Sequence, residues 1–130
     1  MKELIKDSRK FNFKEGNICN IYGKCHKITR YDRDLINTMQ TDAYQPIVLN
    51  EILLKSLGFK IDSSYQKRFT KRLGPITIMQ LILEDTYAST NLEENGQSYN
   101  YIFLKGKFFY HLQNLLNHYN KIITKQLKDS

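Results

Sequence analysis

Two stretches of the chain carry a clear spacing of apolar residues. Over 108–127, Phe108, Leu112, Leu115, Leu116, Tyr119, Ile122, Ile123 and Leu127 recur at steps of three and four, which places them on one side of a helix of about five turns. Gln113, Asn114, Asn117, His118, Lys121, Lys125 and Lys128 take the other side, left for water or a partner. The stretch 46–59 is expected to pack near that helix. Pro46 holds Gln45 extended, 47–49 reads as a strand end, and Asn50 is a good N-cap for a helix over 51–57, with Glu51 well placed against the helix dipole. Gly58 stops this helix, and a left-handed conformation there lets Phe59 fold back on Leu54, the contact of a Schellman ending. Ile52, Leu53 and Leu57 form its predicted buried stripe, each worth about 1.5–3 kcal/mol when fully buried.

Elsewhere the period is two. Phe11 and Phe13 alternate with polar residues, Gly16-Asn17 makes a turn before a strand over 18–22, and Gly23 turns the chain into a second strand over 25–29, with Ile18 and Ile28 facing inward. The charged residues 31–34 read as a loop before a third candidate strand around 35–39. Residues 65–73 fit either a helix with one basic face or a strand with Lys67, Phe69, Lys71 and Leu73 on one side, and Gly74-Pro75 ends either one. Residues 76–83 read as a largely buried strand, 91–98 as a polar turn with Asn95-Gly96 at its tip, and 99–104 as a strand that Gly106 separates from the long helix. The fold class is α+β: a small antiparallel hairpin sheet, a short capped helix, further strands and a long C-terminal amphipathic helix. It is expected as one domain over 1–130, with 1–10 a flexible or helical N-terminal extension.

Charge narrows the range of partners. Lys and Arg exceed Asp and Glu by 20 to 13, giving a net charge of +7, so a polyanion or an acidic protein surface fits as a partner. Mimicry of nucleic acid is disfavoured, because carboxylates cluster only as the pairs Glu84-Asp85 and Glu93-Glu94. No secretory segment and no membrane-spanning run is read, so the expected location is the cytoplasm, without membrane association. Cys19 and Cys25 form neither a CxxC pair nor a zinc half-site and read as reduced thiols. His26, His111 and His118 lack further metal ligands at suitable spacing, and no nucleophile, zincin, Walker or dinucleotide motif occurs. The expectation is a protein that is not an enzyme, with no catalytic, cofactor or metal site.

The basic clusters carry the candidate chemistry. Lys67, Arg68, Lys71 and Arg72 are flanked by Tyr65 and Phe69, and Arg30 and Arg33 bracket Tyr31. Cations interleaved with aromatics suit unpaired bases, which stack on rings while phosphates meet the charges. The candidate partner-binding or nucleic-acid-binding residues are therefore Arg30, Tyr31, Arg33, Tyr65, Lys67, Arg68, Lys71 and Arg72. The competing reading is that lysines and arginines solvate the surface. Nine tyrosines and seven phenylalanines exceed what a small core must hide, and Tyr31, Tyr44, Tyr65 and Tyr87 are expected to face outward as interface anchors.

Gln45-Pro46-Ile47-Val48-Leu49-Asn50-Glu51, Leu54-Lys55-Ser56-Leu57-Gly58-Phe59 and, far downstream, His111-Leu112-Gln113-Asn114-Leu115 carry a resemblance. They resemble small uncharacterised phage and prophage proteins of Bacteroidetes bacteria, in which a segment like "PIPLTEEWLLKFGF" precedes a C-terminal "HQLQNLYFALTGEEL". Gly16-Asn17-Ile18 matches the "IGN" that opens their first strand, so the resemblance covers about 13–119. It departs at 120–128, which continues the helix and turns it basic where the family has "TGEEL"; residues before Phe13 have no counterpart. The resemblance implies an α+β fold with an SH3-like hairpin sheet and expression inside a bacterial host from a mobile element, and it implies no activity. Mobile elements use small accessory proteins against host defence. The expectation that follows is an anti-CRISPR inhibitor, similar in size and origin to those acting on RNA-targeting type VI-B effectors, with a host RNA-guided nuclease or its guide RNA as partner. The alternative is a phage accessory protein that binds RNA or DNA.

Overall fold

The computed structural model describes residues 8–39, 41–63 and 67–129, without the side chains of Arg9, Ser63 and 122–129. The chain divides into two compact units, Met1–Ile47 and Val48–Ser130, and the architecture is α+β.

In the first unit, β1 (Ile18–Ile21) and β2 (Lys24–Lys27) form an antiparallel hairpin. Its turn is Tyr22-Gly23, both at positive φ (47° and 85°), the combination whose twist matches the flanking strands. Cys19 and Ile28 are fully buried, and Ile18 is half-buried. The expected loop over 31–34 and strand over 35–39 are instead one helix, α1 (Arg30–Thr38). Its cause lies at its start: the Thr29 hydroxyl accepts from Asp32 N at 3.2 Å, while Asp32 Oδ2 accepts from Thr29 N at 2.7 Å, a reciprocal cap that satisfies two free donors. The third strand falls later, at β3 (Tyr44–Gln45), on the free edge of β1, giving the order β2-β1-β3. Of the expected N-terminal extension, residues 1–7 lie outside the described residues. Ser8–Lys10 form a 3-10 turn tied to β3, with Ser8 Oγ donating to the Tyr44 carbonyl at 2.8 Å. Phe11 and Phe13 are buried against each other outside any strand, ring centroids 5.6 Å apart.

The second unit opens with the predicted cap. Asn50 Oδ1 accepts from Leu53 N at 2.8 Å at the start of α2 (Glu51–Ser56). Beyond it Gly58 takes φ +93°, Phe59 N donates to Leu54 O and Gly58 N to Lys55 O, both at 3.0 Å, the two bonds of a Schellman ending. The buried stripe differs from expectation: Leu54 is fully buried, Leu53 and Leu57 are half-buried, and Ile52 is 81% exposed. The ending draws Leu54 and Phe59 inward together, and Ile52, two positions before Leu54, is turned about 200° away.

Five strands follow as an antiparallel meander in sequence order: β4 (Lys60–Ser63), β5 (Arg68–Arg72), β6 (Thr77–Leu83), β7 (Tyr87–Glu94) and β8 (Gln97–Lys105). The ambiguous stretch 65–73 thus resolves as a strand with Phe69 fully buried. The expected polar turn over 91–98 shrinks to Asn95-Gly96, at φ 53° and 80°, because its polar residues extend β7 and β8. One sheet face is the core, formed by Phe69, Met79, Leu81, Ala88, Thr90, Leu92 and Leu104. At Gly106 (φ +72°) an added Cβ would lie 2.6 Å from the Phe108 ring, so any other residue in the turn into the last helix is strained and must displace that ring.

That helix, α3 (Phe109–Asp129), begins one residue later than the apolar spacing implies, because Phe108 bridges to Val48 and Leu49 N bonds Lys107 O at 2.7 Å. Its buried side starts with Phe109, Tyr110 and Leu112 and continues to Tyr119, whose hydroxyl accepts from Asn100 Nδ2 of β8 at 2.7 Å. Leu115, Leu116, Gln113 and Asn114 are half-buried, and Asn117, His118 and Lys121 are exposed. The side chains of Ile122, Ile123, Lys125, Leu127 and Lys128 lie outside the described residues. No helix among the described residues is long and apolar enough to cross a membrane.

Candidate functional site

The second face of the five-stranded sheet is lined by rows of paired residues. Arg68, Ile82, Ser89 and Phe103 form one row, Lys60, Thr70, Gln80 and Asn91 the next, and Arg72, Ile78 and Glu93 a third. Strand pairing fixes these rows, since cross-strand partners point to the same side. At the β7–β8 end the face is aromatic: Phe103 is 67% exposed, Tyr101 68%, and the Tyr87 ring meets Phe103 edge to face at 5.8 Å. Toward β4–β5 it is basic. The middle is a hydrogen-bonded polar ladder, with Gln80 donating to the Glu93 carboxylate and Asn91 donating to Gln80 Oε1 at 3.3 Å.

A bulge decides which aromatics belong to this face. Between the pairs Thr90–Ile102 and Leu92–Tyr99, Asn100 and Tyr101 together stand opposite the single Asn91, with Asn100 at φ 58°. The extra residue breaks the alternation. Tyr101 and Phe103 therefore share the open face, whereas Tyr99 falls on the core side. There its hydroxyl donates to Glu94 Oε1 at 2.7 Å, and that bond, with burial second, pushes the phenol up to about 12.

Among the residues singled out from sequence, Arg68 and Arg72 lie on the open face. Arg68 pairs with Asp62 at 3.7 Å, and Arg72 Nη1 donates to the Pro75 carbonyl at 2.9 Å. Lys67 is exposed just before β5. Lys71 points to the other side of its strand, donating to the Leu57 carbonyl with its ammonium 5.8 Å from the Phe59 ring centroid. Tyr65 lies outside the described residues. Arg30, Tyr31 and Arg33 belong to the first unit, all exposed on α1, with Tyr31 70% exposed. The second unit thus holds its own aromatic and basic set, whose rings Tyr101 and Phe103 were absent from the candidates; the alternation of 99–104 was their signal.

Tyr44, expected outside, is buried. Its hydroxyl donates to Asp32 Oδ1 at 2.8 Å. Asp32 is the polar hub of the first unit, also holding His26 Nε2 at 2.8 Å and the Thr29 hydroxyl at 2.7 Å. Burial pushes its carboxyl up, but the Thr29 N–H, His26 and the Thr29 and Tyr44 hydroxyls outweigh burial and hold it at about 2. Burial, with Asp32 beside it, lifts the Tyr44 phenol to about 12, and burial lifts the Cys19 thiol to about 11. A thiol held protonated in this way is a poor nucleophile. Cys19 pairs with His26 and Cys25 with Asn20, so the two free thiols face opposite sides of the hairpin. Among the described residues no cluster of His, Cys, Asp and Glu is arranged to hold a metal ion.

No family model, curated protein or solved structure matches the chain.

Proposed function

We propose that this is a non-enzymatic binding protein of a mobile element, acting in the bacterial cytoplasm as an anti-CRISPR inhibitor. In this reading it holds the guide RNA of a host RNA-guided nuclease, with an RNA-targeting type VI-B effector as the expected target. The observation that carries the reading is the open sheet face, where Tyr101 and Phe103 stand exposed beside Tyr87 and across the polar ladder from Lys60, Arg68 and Arg72. Aromatic rings on an exposed antiparallel sheet stack unpaired bases, typically about two or three of them. The spacing from β5 to β8 is three strand separations, about 14 Å, so a strand lying across the sheet brings bases to the rings and phosphates to the cations. An excess of positive charge suits that partner.

The test is co-purification of the tagged protein with the guide-loaded effector, washed at high salt with and without nuclease treatment. Recovery of effector that falls when the RNA is digested, and that is lost in the Tyr101→Ala, Phe103→Ala double variant, supports the reading. Binding of free single strands with no retention of effector favours the accessory nucleic-acid-binding role. Retention of effector indifferent to both treatments and to the variant contradicts a hold on the RNA.

A further inference from the structure

The open face ends in a depression of about 370 Å³ lined by Gly58, Lys60, Thr70, Lys71, Arg72 and Ile78. The register puts four of these side chains on the open side: Lys60 pairs with Thr70, and Arg72 pairs with Ile78 one row along. Thr70 therefore lies across from Lys60 and two residues before Arg72 on the same face, with Ile78 as the apolar member of the lining. Lys71 contributes mainly its place between Thr70 and Arg72, since its ammonium is turned to the Leu57 carbonyl. The carboxylates of this face are otherwise engaged. Asp62 is with Arg68, Glu93 accepts from Gln80, and Glu94 lies on the core side with Thr77 and Tyr99. No ion pair among the described residues involves Lys60 or Arg72, and Arg72 gives one nitrogen to Pro75 while its fork keeps further donors.

Two cations and a hydroxyl suit a phosphate group, which offers oxygens to all three donors and charge to both cations, and a hollow of about 370 Å³ leaves room for the rest of the ester beside it. We propose that this depression is a phosphate-binding site, in which Lys60 and Arg72 hold a phosphate ester and Thr70 donates to it. This inference rests on the proposed reading of the same sheet face. The phosphate comes either from the backbone of the bound strand or from a free mononucleotide whose sugar lies on Ile78.

The experiment uses the full chain and two probes. The first is a fluorescent single-stranded octanucleotide whose affinity is measured across a salt series for the native protein, Lys60→Gln, Arg72→Gln and, as control, Lys24→Gln on β2. The second is adenosine monophosphate against adenosine, followed by the amide resonances of Thr70 and Ile78. A backbone phosphate in the site lowers the log-log salt slope in each of the first two variants, by at most about 0.7 for the one phosphate they share, and leaves the control unchanged. A free mononucleotide leaves the slopes alone but moves the Thr70 and Ile78 resonances with the monophosphate only, an effect lost in Arg72→Gln. Unchanged slopes together with equal responses to monophosphate and adenosine overturn the site. If the octanucleotide does not bind at all, the sheet-face reading fails, and the mononucleotide arm still decides whether the depression holds phosphate.

Discussion

Tyr87 and Phe103 meet edge to face, ring centroids 5.8 Å apart, on the side of the five-stranded sheet that faces away from Leu92 and Leu104. Phe103 is 67% exposed and Tyr87 38%, so the Phe103 ring in this pair contributes little to the core. Phe103→Ala should therefore cost only about 0.5–1.5 kcal/mol of stability, the worth of an aromatic pair. The same change should weaken single-stranded RNA binding by about 1–3 kcal/mol, the value of one base stacked on a ring. Chemical unfolding and fluorescence anisotropy on the same preparation measure both.

Asp32 gathers four donors in the first unit. Asp32→Asn removes the charge they were arranged around and should destabilise that unit by about 1.5–3 kcal/mol, read by urea unfolding. The pH dependence has a definite sign. The carboxyl is lowered from 3.8 to about 2 on folding, so its stabilisation is complete above the unfolded value and is lost as pH falls through the folded one. Native protein should lose stability between about pH 4 and pH 2, and the Asn variant should lack that contribution.

Two glycines at positive φ differ in surroundings. Gly106 has the Phe108 ring 2.6 Å from where a Cβ would stand, whereas Gly96 has nothing within 4 Å. Gly96→Ala should cost about 1 kcal/mol from backbone strain alone, and Gly106→Ala more, about 2–4 kcal/mol, as the ring is displaced. Equal melting points for the two variants would contradict the packing at the entry to α3.

In α2, the fully buried Leu54 and the 81% exposed Ile52 lie two residues apart. Leu54→Ala should cost about 2–5 kcal/mol, and Ile52→Ser should stay within about 0.5 kcal/mol of the native protein. The reverse order would mean that the helix is rotated.

The elements that were legible in the sequence have local causes. Asn50 and Gly58 cap α2 with their own atoms, Asn95-Gly96 and Tyr22-Gly23 supply the positive φ of their turns, and the spacing from Leu112 to Tyr119 gives α3 its direction. α1 leaves no apolar period in the sequence, because among its side chains only Asp32 and Ile36 are buried, and its start depends on one carboxylate reaching back to Thr29. β7 hides for a related reason: its inward positions are Ala88, Thr90 and Leu92, two of them small or polar. On the candidate face, Arg68 and Arg72 were visible as a charge cluster. The placement of Tyr101 and Phe103 apart from Tyr99 depends on the bulge at Asn100, for which the sequence offers only an asparagine, a residue tolerant of positive φ.

The measurement that bears most directly on RNA binding by the sheet face is a resonance map of the full chain titrated with a single-stranded oligoribonucleotide and, separately, with the same sequence as a duplex. Shifts concentrated at Tyr87, Tyr101, Phe103, Gln80 and Thr70 with the single strand, and much weaker with the duplex, are the expected result. Shifts confined to Arg30, Tyr31 and Arg33 of α1, or none with either nucleic acid, would contradict it.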